Sequence, residues 1–220
     1  MEFVHYGTRE IFGGLTVNVN TLMITWLAMA IVFAVVMLAT RNLQMVPSGA
    51  QNAIEAIIDF LTDLMDKNMG KEGRFMAPFV ITLFLFLLVS NELGLIPGLV
   101  SPTNDINTTL GMAVMVVLSV HVIGCWHKGF FHHMSHFIKP HPLFLPINII
   151  EEISKPMTLA FRLFGNILAG EILLIVLGVL VPFVIPTAWL AFSVIVGILQ
   201  ALIFSILSMS YLANAFKSGH

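Results

Sequence analysis

Runs of Leu, Ile, Val, Met, Ala and Phe that are too long for a soluble core dominate this chain of 220 residues. Residues 17–40, 75–95 and 108–126 each match the roughly 20 residues that a helix needs to cross a hydrocarbon layer of about 30 Å. Two further runs, 145–181 and 187–216, exceed that length. A helix satisfies its backbone polar groups internally, which lipid demands. The totals agree: 58% of residues are hydrophobic and 10% charged, and the mean hydropathy is +0.95, outside the range of soluble domains. The expected fold is an all-α polytopic membrane protein, one membrane domain over 1–220, with about five membrane-traversing helices. The last two, at roughly 50 Å and 45 Å by a rise of about 1.5 Å per residue, must tilt strongly or protrude. Pro182 and Pro186 mark the turn between them, so they are expected to form a tilted antiparallel hairpin.

Residues 1–16 lack the basic start, short apolar core and small-residue site of a cleavable signal, and are expected to be a retained external segment. Between 51 and 68 the pattern changes. Ile54, Ile57, Ile58, Leu61, Leu64 and Met65 recur at helical spacing, with Glu55, Asp59, Thr62, Asp63 and Asp66 mostly opposite, which predicts an amphipathic helix. Its acidic face argues against attraction to anionic lipid. The basic residues fix an expected topology. Arg41, Lys67, Lys71 and Arg74 crowd one connection, Lys128 and Lys139 another, and Lys217 the C-terminus. The positive-inside rule therefore predicts the N-terminus outside and the C-terminus in the cytoplasm.

A net charge of −2 gives no reason to expect nucleic-acid binding. The single Cys125 excludes an intrachain disulfide and a cysteine-based metal site. His132, His133 and His136 lie close together, and His132 and His136 have the i, i+4 spacing of a metal pair. No Cys or carboxylate stands among them, so solvated histidines are expected and no metal is assigned. No Gly-rich run ending in Lys-Ser or Lys-Thr is present, so no nucleotide site or other cofactor is expected.

The most informative charge is Arg162. It lies inside the run 145–181, cannot become neutral, and near a bilayer centre would cost on the order of 3 kcal/mol or more. At about 100° per residue, Thr158 and Asn166 lie within about 40° of it on the helix surface, one turn to either side. Glu171, nine residues on, points the opposite way and stands roughly 13 Å further along the axis. On the last helix Ser193, Gln200, Tyr211 and Asn214 fall within about 40° of one line, interrupted by Leu207. These groups offer stepping points for an ion, or simple bonds across a helix pair.

The run Lys155-Pro-Met-Thr-Leu-Ala-Phe-Arg162-Leu-Phe-Gly-Asn166-Ile-Leu-Ala-Gly-Glu171 resembles subunit a of the F-type ATP synthases. Gln200-Ala-Leu-Ile-Phe, Ser90-Asn91-Glu92-Leu-Gly-Leu-Ile-Pro97-Gly98 and the turn Ser101-Pro-Thr-Asn-Asp105 extend the likeness over most of the chain. The resemblance implies a stationary membrane subunit beside a ring of c subunits, with b subunits as peripheral stalk, further synthase subunits, and lipid as its other partners. It implies two half-channels that pass H⁺ or Na⁺ to and from the ring carboxylates, and catalysis of ATP synthesis elsewhere in the complex.

Arg162 matches the stator arginine, Glu171 the acidic residue of the outer half-channel, and Asn166 and Gln200 the flanking amides. Thr158 stands where some members have Ser. At Ser193 some members carry His, so a titrating Glu-His relay is not expected here. Glu92 with Asn91 is read as an extension of the outer channel, and Glu151 and Lys155 as bordering the inner one. The absence of a targeting segment in the sequence and the basic loops point to a bacterial plasma membrane. The rival is a secondary transporter with broken helices at Pro97-Gly98 and Pro182–Pro186, against which no internal repeat is visible.

Overall fold

The computed structural model describes residues 8–10, 16–41, 44–46, 49–96, 98–129, 143, 145–181 and 184–216. The histidine cluster at 132, 133 and 136 lies outside them. β1 (Thr8–Glu10), in the expected external segment, pairs antiparallel with β2 (Thr16–Asn18), which takes up the first two residues of the expected first span, and Thr8 lies opposite Asn18. Asn18 then ends the ribbon and starts α1 (Val19–Thr40), its side chain accepting from the Asn20 amide at 3.2 Å. That is an N-cap, where a short polar side chain satisfies a first-turn donor.

The amphipathic stretch forms α2 (Ala50–Met69). Ile54, Leu61 and Met65 of the predicted stripe are buried, with Met69 one turn beyond it, Ile57, Ile58 and Leu64 are half-buried, and Asp59 and Asp63 are exposed. Gly70, at φ 71°, ends the helix in a conformation that favours glycine. A 3₁₀ turn, Lys71–Met76, leads into α3 (Ala77–Leu93). Asp105 caps α4 (Ile106–Lys128) by accepting from the Asn107 amide at 2.9 Å.

The last two helices are α5 (Leu145–Leu180, 36 residues) and α6 (Val184–Phe216, 33 residues). α5 runs through Pro156 as one helix. α6 begins at Val184, three residues before the expected Thr187, so Pro186 lies in its first turn and not in the connection. The reason is local: first-turn N–H groups have no intrahelical partner, so proline's missing donor costs nothing there.

Among the described residues, five helices, α1, α3 with its leading turn, α4, α5 and α6, are long and apolar enough to cross a membrane. α6 is the packing centre, in contact with α2, α3, α4 and α5. Phe204, Met209 and Leu212 of α6 join Leu159 and Leu163 of α5, Val80 and Leu87 of α3, and Val116 of α4 in one buried cluster. The helices are not equally covered. Of the most apolar stretch of α5, 6% of residues are buried, against 39% for α3 and 44% for α4. α5 therefore offers most of its surface to lipid or to another protein.

Candidate functional site

Polar side chains gather at two levels along α5. The first surrounds Glu171. The short 3₁₀ turn Pro102–Asn104 between α3 and α4 folds back so that Asn104 Nδ2 donates to Glu171 Oε2 at 2.5 Å. The turn is fastened from behind. Ser101 Oγ donates to the Ser90 carbonyl at 2.9 Å and lies 2.6 Å from Thr103 Oγ1. Thr103 Oγ1 donates to Asn91 Oδ1 at 2.9 Å, and Asn91 Nδ2 donates to the Gly197 carbonyl of α6 at 3.0 Å. Asn91 is 2% exposed and Thr103 0%, so this relay of hydrogen bonds is buried, and it ties three elements together. Satisfied networks of this kind rigidify what they join.

Two glycines make the approach possible. A Cβ on Gly94 would stand 2.4 Å from Ser101 Cβ, and one on Gly197 would stand 2.8 Å from Glu92 Oε1 and 3.4 Å from Asn91 Cβ. Between α3, α5 and α6 a cavity of about 310 Å³ is lined by Asn91, Asn166, Gly170, Glu171, Ser193 and Gly197, among others. Trp189 Nε1 donates to the Gly170 carbonyl at 3.1 Å and staples α6 to α5 beside it. Ser193 Oγ gives its proton to the Trp189 carbonyl at 2.9 Å, which leaves the oxygen's lone pairs free to accept. Glu171 Oε1, Glu92 Oε1, Asn104 Oδ1 and Ser90 Oγ are buried with no hydrogen-bond partner among the described residues. Buried acceptors are costly unless they meet a donor or a cation. Of these residues Glu171 lines the cavity, with Asn91 and Ser193 beside it, and its carboxylate suits water, hydronium or a small hard cation.

The second level is Arg162. Asn166 Nδ2 donates to Gln200 Oε1 at 2.9 Å, joining α5 to α6 one turn along from the arginine. Gln200 is 3% exposed, while Thr158 is exposed and bonds back to the Ser154 carbonyl of its own helix at 2.8 Å. No hydrogen bond or ion pair joins the half-buried Arg162 guanidinium to another described residue. Among the described residues no carboxylate compensates it.

Further toward the start of α5, Lys155 Nζ lies 2.8 Å from Glu152 Oε2 and 3.6 Å from Glu151 Oε1, and His121 Nε2 of α4 lies 3.3 Å from Glu152 Oε1. The expected Glu151 and Lys155 are here, but Glu152 and His121, which bridge α4 to α5, were not anticipated. Tyr211 is half-buried and Asn214 exposed near the end of α6.

The structure therefore brings together Glu171, Asn91 and Ser193, with Glu92 pressed against Gly197, and separately Asn166 with Gln200. Sequence reasoning missed Thr103 and Asn104 as site residues and read them as turn formers. The available signal was a turn unusually rich in hydroxyl and amide side chains between two apolar helices. Among the described residues no group of three or more His, Cys, Asp or Glu is placed to hold a metal ion.

A helical membrane protein with a carboxylate on the wall of a cavity at one level, and at another an arginine with no partner among the described residues, belongs among proteins that move ions. The sequence comparisons narrow the class. Residues 22–213 match the profile of the ATP synthase A chain, and the chain belongs to that family. It is 37% identical to ATP synthase subunit a of Moorella thermoacetica, over 100% of this chain and 97% of the relative. It is 42% identical to that of Desulforamulus reducens, over 96% and 85%, and 37% identical to that of Trichlorobacter lovleyi, over 92% and 90%.

Proposed function

We propose that the chain is the stator ion-channel subunit of a rotary ATP synthase in a bacterial plasma membrane. Membership of the family supports its place in the membrane sector. The observation that carries the mechanism is Arg162, a permanent charge on an open face of α5 with no partner among the described residues. A guanidinium in that setting calls for an external anion. The fitting partner is a carboxylate carried past it on a ring of c subunits, with b subunits and the remaining synthase subunits holding the chain still.

Arg162 favours the ionised carboxylate beside it, so the ring subunit releases its ion there, and it repels cations that would leak between the two access paths. The Asn166–Gln200 bond holds α5 and α6 in register around it. Glu171, Ser193, Asn91 and Glu92 form the outer path, with Glu171 Oε1 as the exchanging atom. Thr158, Tyr211 and Asn214 lie toward the inner path. Lys would serve poorly at 162, since it sheds its proton when desolvated and lacks the planar fork. The orientation has the N-terminus outside and the C-terminus in the cytoplasm, with α5 and α6, roughly 54 Å and 50 Å long, tilted against the ring. The ion is H⁺ or Na⁺. ATP chemistry belongs to partner subunits, and this chain binds no nucleotide.

The test is ATP-driven ion pumping in vesicles carrying the whole complex, with Arg162 and with Arg162→Ala, in the presence and absence of Na⁺. Loss of pumping from an assembled complex with its ATPase intact is expected. Undiminished coupled pumping by the variant would overturn the proposal.

A further inference from the structure

We propose that Asn104 is a positioning residue for Glu171: its amide fixes one carboxylate oxygen and leaves the other to exchange the ion. The inference rests on the reading of Glu171 as the outer ion carrier. Its own observation is the 2.5 Å bond from Asn104 Nδ2 to Glu171 Oε2, made between residues 67 apart in the chain.

Three features make this more than a passing contact. The amide is presented from a fixed platform. Its neighbours Ser101 and Thr103 are 1% and 0% exposed and are bonded to α3 through the Ser90 carbonyl and Asn91 Oδ1. Asn91 is in turn bonded to α6. Second, the bond occupies Oε2, while Oε1 is buried and unpartnered. One oxygen is held and the other is available on a carboxylate that lines the cavity.

Third, the Asn104 carbonyl oxygen is itself buried without a partner. An amide has a donor end and an acceptor end. Turned about its last torsion, the same side chain accepts from the neutral acid as readily as it donates to the carboxylate. Asn104 therefore suits both states of an exchanging Glu171. Leu suits neither, and an ionised Asp cannot donate to the carboxylate.

The titratable side chains on the elements around Glu171 are few. α3 brings Glu92, the turn ends in Asp105, α4 carries His121 and Cys125 toward its far end, and α6 brings only Tyr211 near its far end. On α5 itself Arg162 is nine residues away and on the opposite side. The local field is acidic, so a fixed neutral donor is the group that favours the charged form without trapping it as a nearby cation would.

The experiment is ATP synthesis by the reconstituted complex, driven by an imposed gradient, with the pH on the outer side varied at constant potential and Na⁺. Loss of a hydrogen bond to a charged group is expected to move the Asn104→Leu profile about one pH unit upward, a tenfold change in the half-saturating proton concentration. Asn104→Asp has the parent's shape and sets a second carboxyl against the first, so it moves the profile the same way and carries the test if the Leu variant does not assemble. Asn104→Gln, which keeps the amide, returns the profile toward that of the parent. Assembled Leu or Asp variants with the parental profile would overturn the proposal, provided Glu171→Gln abolishes synthesis in the same assay. Synthesis that survives Glu171→Gln would instead overturn the reading of Glu171 as carrier.

Discussion

Glu171 and Arg162 stand nine residues apart on one helix, yet the chain treats them in opposite ways. Around Glu171 it builds an environment from three helices and a folded-back turn, closed by buried hydrogen bonds and two glycine contacts. Around Arg162 it builds almost nothing, and the guanidinium meets no carboxylate among the described residues. The difference shows which half of an ion path a stationary subunit can complete alone. A carboxyl that takes ions from one side needs only a fixed shell. A charge that must meet a succession of moving partners has to be left open, because an internal carboxylate would satisfy it permanently. Its cost in the free chain is the driving force for the external contact.

Substitutions that damage one region while sparing the other put this contrast at risk. The largest structural effect is expected at Gly94. A methyl group there would stand 2.4 Å from Ser101 Cβ and 3.1 Å from Ser101 Cα, and the contact is partly with backbone, so no flexible side chain can absorb it. Gly94→Ala should cost about 1–3 kcal/mol through overpacking and displace the turn that carries Thr103 and Asn104. Heat denaturation of the solubilised complex should begin at lower temperature, and outer-side ion uptake should fall with it. Arg162→Ala should do the reverse, abolishing coupling with the thermal midpoint unchanged. Equal thermal losses in the two variants would erase the distinction.

The two regions were also unequally legible in the sequence. Arg162 stands out because a charge in an apolar run has few explanations, and Asn166 and Gln200 follow from helical spacing on neighbouring helices. The lengths of α5 and α6 are visible as uninterrupted apolar runs. The Glu171 shell is different. Asn104 is 67 residues away, and its local chemistry, next to Pro102 and before Asp105, is that of any turn and helix cap. Its meaning depends on how closely α3 approaches the turn and α6, which Gly94 and Gly197 decide by lacking a Cβ, and no periodicity reports that. The early start of α6 was missed because proline was read as a breaker when its position in the first turn made it harmless.

A smaller effect is expected at the other end of α5. Lys155 is paired with Glu152 at 2.8 Å, and His121 reaches Glu152 from α4 at 3.3 Å, with side chains 22%, 20% and 27% exposed. This cluster is neither sealed like the Glu171 shell nor open like Arg162. Lys155→Met removes the permanent cation and keeps the length of the side chain. A fully buried pair broken on one side costs more, but residual exposure screens this one, so a loss of about 1–2 kcal/mol is expected. Replacing Lys155 and Glu152 together with Met should recover part of it. If the double variant is no better than the single one, Lys155 and Glu152 do not act as an ion pair along α5.

The smallest effect should come from the pair that lies in water. Arg74 donates to Asp66 through Nε at 2.8 Å and through Nη2, linking the end of α2 to the turn before α3. The Arg74 side chain is well exposed and that of Asp66 partly so, so the pair is a control for the charges within the membrane. The hydrogen bonds from Arg74 hold the Asp66 carboxyl below its ordinary value of 3.8. A carboxylate whose folded-state value is lowered adds stability above its unfolded value and loses it as the pH falls through the folded one. Asp66→Asn should therefore lower the thermal midpoint slightly at neutral pH, and the gap should close below about pH 4. A gap that stays constant down to pH 3 would mean that the contact matters through its shape and not its charge, and the exposed pair would then no longer serve as the aqueous reference for Arg162 and Glu171.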